Sequence, residues 1–239
     1  MGEIKRQSII TSIVTYSGVV LGFVITAVLF SRYLTTDQNG LLKLLVSYSS
    51  IFAQLSSLGL NNVVIKFFPY FNNEKNKHNG LLFFLVVFTL SGFFLFLTTF
   101  LFVKPWLISR NLEDSPIFVQ YLNYLIPLTL FTLLYNVFDV YYRSLLKSVR
   151  GAFLREFAQR VLIGIAIVLY IFDIIDFEQF VVGYCFALSF SGLFLLIKLL
   201  MSREFVIPRT KGILTRKLIG QMASVGLFGL ISGSGNLDI

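Results

Sequence analysis

Positions 9–30 hold 22 residues without one charged side chain. As an α-helix they rise about 33 Å at roughly 1.5 Å per residue, enough to cross a hydrocarbon core of about 30 Å. Further apolar runs follow at about 41–65, 80–103, 117–142, 157–172 and 179–201, and a seventh begins at 218. Only 13% of the residues are charged and 56% are hydrophobic, whereas soluble domains carry about a quarter charged. The chain therefore reads as an all-α, polytopic membrane protein: six transmembrane helices plus the start of a seventh. The first run is too long for a signal-peptide core and lacks a small-x-small cleavage site, so it reads as a retained anchor.

The charges set an orientation. With the N-terminus in the cytoplasm and every run crossing, 16 of the 20 lysines and arginines fall inside, leaving Arg32, Lys43, Lys104 and Arg110 outside. That bias obeys the positive-inside rule and accounts for the net charge of +8 without nucleic acid. Cys185 and His78 are the only residues of their kinds, so neither an internal disulfide nor a zinc site built from such side chains is expected.

Two runs carry a polar stripe. In the second, Ser47, Ser50, Gln54, Ser57 and Asn61 are spaced 3, 4, 3 and 4 apart, which places all five on one face of a continuous helix. In the fourth, Thr129, Thr132, Asn136, Asp139 and Arg143 repeat the same spacing. Such faces suit a polar cavity or a partner helix. Gln54 and Asn61 also suit bonds to neighbouring helices. Lys66 and Arg143 stand at the cytoplasmic ends of the stripes, either to meet an anion or to snorkel to the interface. Asp139, four residues before Arg143, reads either as an ion-coupling carboxylate or as half of an intrahelical pair. In the first run Thr11, Thr15, Gly18, Gly22 and Thr26 form a small-residue stripe, suited to close helix packing or to a cavity wall. Tyr48, Tyr135 and Tyr142 suit a sugar-bearing cavity or plain packing. The basic stretch 143–160 is expected to lie partly in the membrane interface, and Trp106 to sit at the end of the third helix. The segment 218–239 has no polar exit flank, which reads as a chain cut near its midpoint, and the role of Asp238 stays open.

Arg32-Tyr33-Leu34, Gly40, Gly59-Leu60 and the KFFP run at 66–69 resemble the N-terminal signature of the polysaccharide-biosynthesis (O-antigen flippase) family. That family belongs to the multidrug/oligosaccharidyl-lipid/polysaccharide exporter superfamily. Arg155-Glu156 leading through Arg160 is similar to the family's middle. The resemblance implies a two-lobe, alternating-access transporter of which 1–217 is the N-terminal lobe and 218–239 an incomplete seventh helix. The missing C-terminal half would be a partner, and this chain alone would not transport. The implied substrate is an oligosaccharide linked to undecaprenyl pyrophosphate, moved from the inner to the outer leaflet of a bacterial cytoplasmic membrane. No bond is made or broken, so the chain reads as a transporter and not an enzyme. No cofactor is implied beyond coupling to protons or sodium, for which Asp139 is the candidate. In this setting Ser47, Ser50, Gln54, Ser57, Asn61, Thr132 and Asn136 would line the sugar path, while Lys66 and Arg143 would hold the pyrophosphate through charge-assisted bonds. The lipid II branch places charges within its first two helices. The stretches LGFVIT at 21–26 and IFAQLS at 51–56 hold none, which favours a surface or capsular glycan. A cation-coupled drug extruder of the same superfamily and a membrane polymerase or ligase of the same pathway are the alternatives.

Overall fold

The computed structural model describes residues 3–73, 80–113, 115–145, 148–201 and 216–234, and these are helical apart from short connections. Helix α1 runs Glu3–Phe23, passes through a π-helical stretch Val24–Phe30 and ends with Ser31–Tyr33. Helices α2 (Thr36–Ser56) and α3 (Leu60–Phe71) follow, then α4 (Leu81–Asn111). Two short turns, Pro116–Gln120 and Leu122–Tyr124, lead into α5 (Leu125–Ser144). Helix α6 comprises Ser148–Ala152, a π-helical stretch Phe153–Ala158 and Gln159–Ile171. Helices α7 (Phe177–Met201) and α8 (Arg216–Ser234) complete the described chain.

Local chemistry sets several of these ends. Thr35 Oγ1 accepts from the Gln38 N–H at 3.3 Å while Gln38 Oε1 accepts from the Thr35 N–H at 3.0 Å. This capping box starts α2. Asp176 and Gln179 make the same reciprocal pair, at 2.8 and 3.2 Å, around the start of α7.

The second apolar run is not one helix. It breaks at Ser57–Gly59 and turns by 45° between α2 and α3. Leu58 (φ 50°) and Gly59 (φ 69°) both lie in the left-handed region that ends a helix. The five-residue stripe is therefore divided, with Asn61 on the second piece. Other bounds shift as well. Helix α4 has 31 residues and continues through Lys104 and Pro105 to Asn111, where the sequence suggested a loop. Trp106 lies on its exposed side, with the Arg110 guanidinium carbon 5.7 Å from the ring centroid. Residues 148–158 pack against α1 and α5, and Leu154 is buried.

Among the described residues, four helices are long and apolar enough to cross a membrane, and the bent α2–α3 pair, taken as one span, brings the number to five. The regular apolar part of α6, Gln159–Ile171, has 13 residues, about 20 Å of helix. Helix α5 is the central element. Of its most apolar window 61% is buried, against 17% for α1, which packs on one face only. The core forms two clusters. One gathers Phe71, Leu81, Leu82, Tyr141, Tyr142, Leu154 and Leu199, where α3, α5 and α7 finish and α4 and α6 begin. The other gathers Phe30, Leu34, Leu41, Leu107, Phe118, Ile167 and Phe180 at the opposite ends of the helices. Successive long elements thus run in alternating directions, as a multi-pass bundle requires.

Candidate functional site

Toward the first of those clusters the helices leave a polar cavity of about 490 Å³. Helix α5 supplies Tyr135, Asn136, Asp139, Val140 and Arg143; the start of α6 supplies Ala152, Arg155 and Glu156. Thr11 and Thr15 come from α1, Gln54 from α2 and Asn61 from α3. A smaller chamber of about 60 Å³ adjoins it and shares Tyr135 and Arg155. Its wall includes Ser49, Ser50, Thr132, Gln159 and Ser191.

The close approach of α6 to α5 builds the site. The Tyr135 hydroxyl donates to the Gly151 carbonyl at 3.0 Å. A Cβ at position 151 would overlap the Asp139 carboxylate, so glycine leaves that carboxylate its place between the two helices. One turn later the π-helical stretch Phe153–Ala158 adds a residue to the turn, a feature frequent at functional sites. It carries both Arg155 and Glu156. Its Leu154 carbonyl accepts from the Ser191 hydroxyl of α7 at 3.1 Å.

The charges in the wall are unequally matched. Arg143 Nε lies 2.9 Å from Asp139 Oδ2. Arg160 Nη2 lies 2.8 Å from Glu156 Oε2, and the same guanidinium donates to the Gly18 carbonyl of α1. Both wall carboxylates are thereby paired. Arg155 has no carboxylate within ion-pair distance among the described residues. Its guanidinium lies 3.4 Å from Asn136 Oδ1 and 5.2 Å from the Tyr135 ring centroid. Thr11 Oγ1 and Asn61 Oδ1 are buried in the same wall without a hydrogen-bond partner among the described residues. Such groups are uncommon in folded proteins. The cavity thus offers unpaired cationic charge together with amides and hydroxyls.

Of the residues chosen from the sequence, Gln54, Asn61, Asn136, Asp139 and Arg143 line the larger cavity. Ser50 and Thr132 line the smaller. Three lie elsewhere. Ser57 is fully buried at the helix break, its hydroxyl donating to the Gln54 carbonyl at 2.7 Å. Ser47 is exposed and outside both walls, as is Lys66, whose ammonium is 6.0 Å from the Phe67 ring centroid. Asp139 and Arg143 form the intrahelical pair that their spacing allows, and they do so in the cavity wall. The small-residue stripe of α1 divides: Thr11 and Thr15 face the cavity, while Gly18 and Gly22 sit against Glu156 and Arg160. Of the tyrosines, Tyr135 reaches the cavity, Tyr48 stacks on Phe118 at 5.3 Å and Tyr142 is buried in the core. Asp238 lies outside the described residues.

Among the polar residues of the larger wall, Arg155 and Glu156 are the ones that spacing alone did not select. The signal was the Glu156–Arg160 spacing of four, flanked by apolar residues, which marks a charge pair on one helix face. No protein-family model, curated protein or solved structure matches the chain.

Proposed function

We propose that the protein is a flippase for a lipid-linked oligosaccharide. It would carry an undecaprenyl-pyrophosphate-linked sugar chain from the inner to the outer leaflet of a bacterial cytoplasmic membrane by alternating access. The observation that carries this reading is the polar cavity inside a bundle of long apolar helices. Its wall brings Arg143 and Arg155, the latter without an ion-pair partner among the described residues, together with Gln54, Asn61, Asn136 and Tyr135. A pyrophosphate needs cations, and its bonds to guanidinium are charge-assisted and bidentate. A sugar needs amides and hydroxyls. The lipid tail stays in the bilayer while the polar part crosses through the cavity.

The pyrophosphate contact is assigned to Arg155 with Arg143, and Lys66, outside the cavity, is left to the interface. A cationic drug is a poorer fit, because both wall carboxylates already hold an arginine. The test is deletion of the gene in its host, followed by assay of the leaflet in which lipid-linked sugar accumulates. Accumulation on the cytoplasmic leaflet with loss of surface glycan is expected. Accumulation on the outer leaflet would point to a polymerase or ligase instead. New drug sensitivity without a glycan change would point to a drug extruder.

A further inference from the structure

An anion that uses Arg143 must contend with a carboxylate already bound to it. Asp139 Oδ2 lies 2.9 Å from Arg143 Nε, four residues back on the same helix. The two partners are unequally held. The Asp139 side chain is 10% exposed and that of Arg143 57%. Asp139 Oδ1 stands where a Cβ on Gly151 would be, so α6 blocks its movement on that side. Arg143 is in the last turn of α5, with its side chain open to the cavity. Of the two side chains, the arginine is the one with open space around it.

We infer that Asp139 is an internal competitor for the ligand's phosphate: an anion entering the cavity takes Arg143 from Asp139, and Asp139 takes it back as the anion leaves. This rests on the anion-binding reading above. Ligand-free, the carboxylate occupies one of the two guanidiniums that a diphosphate would use. Bound, the ligand competes with Asp139 for the Arg143 guanidinium, and it also meets a like charge. Both effects hold the affinity below what Arg143 and Arg155 would give alone. A carrier has to release its cargo, and a rival tethered on the same helix speeds that release. A merely structural pair makes the opposite prediction, since loss of Asp139 would then disorder Arg143 and weaken the site.

The probe is inorganic pyrophosphate, titrated by calorimetry into the purified protein in detergent at fixed pH and salt. Asp139→Asn is expected to bind about tenfold more tightly than the unmodified protein, within the usual range for coupled sites. Arg143→Ala is expected to bind more weakly. Adding Asp139→Asn to Arg143→Ala should recover clearly less than the gain seen with Arg143 present, because only the like-charge effect is then left to remove, and such non-additivity identifies the exchange. Asp139→Ser, a smaller side chain beside Gly151, repeats the measurement if thermal melting shows that Asp139→Asn does not fold. Unchanged or weaker binding in the folded Asp139 variants overturns the exchange alone, as does an equal gain in the Arg143→Ala background. No binding to either the unmodified protein or the Asp139 variants overturns the anion site itself, and the exchange with it.

Discussion

Arg155 reaches the cavity beside an amide oxygen and a tyrosine ring, with no carboxylate at ion-pair distance among the described residues. A guanidinium so placed has donors to spare, and a bond to a charged partner contributes about 1.5–3 kcal/mol. Arg155→Gln is therefore expected to weaken pyrophosphate binding by roughly ten- to a hundredfold. Lys66→Ala should change it by less than about twofold, within the small effect of a distant exposed charge. Equal losses in the two variants would contradict this assignment. Lys66 stands at the end of the second apolar run. On an unbroken helix it would close the polar stripe. The left-handed Leu58 and Gly59 redirect α3, and Lys66 goes to the exposed side. Gln54, Asn136, Asp139 and Arg143 were legible because they lie on regular helix, where spacing fixes the face. Arg155 was not, because a π-helical turn breaks the spacing on which such a deduction depends.

Among the elements, α6 determines whether there is a site. Its first turns lie against α5 through Gly151 and the Tyr135 hydroxyl. Gly151→Ala overfills that contact and is expected to cost about 1–3 kcal/mol of stability, read as a lower melting temperature in detergent. Tyr135→Phe removes one buried hydrogen bond and should cost about 1 kcal/mol. The bend between α2 and α3 has its own requirement. At φ 69° Gly59 sits where an L-residue is strained, and a Cβ there would overlap the backbone of Gly226 in α8. Gly59→Ala should therefore cost at least the 1–2 kcal/mol of a left-handed residue, and it should loosen α8 as well. A Gly59→Ala protein as stable as the original would contradict the close packing of α8 on the bend. The Gly59-Leu60 pair was visible in the sequence. Its meaning was not, because a glycine inside an apolar run does not show whether the helix continues through it.

For the whole molecule, the all-helical, multi-pass character was legible from apolar run length and charge scarcity alone. The alternation of helix ends between two core clusters agrees with that pattern. Membrane orientation is tested by labelling single cysteines in a Cys185→Ser background. A cysteine at Asn72, after α3, should react only with reagent in the cytoplasm, and one at Leu112, after α4, only with reagent outside. The reverse pattern would invert the charge bias on which the orientation rests. The number of spans was less legible, because α6 joins a charged, π-helical start to a short apolar end, and run length counts only the latter.

The most direct test of the central claim, that this cavity carries the anionic end of a lipid-linked sugar, is complementation of the deletion strain. The measurement is the share of lipid-linked sugar on each leaflet, at matched protein levels. The unmodified protein and Lys66→Ala are expected to clear the cytoplasmic leaflet, whereas Arg155→Gln leaves the sugar there. Full clearance by Arg155→Gln would contradict it.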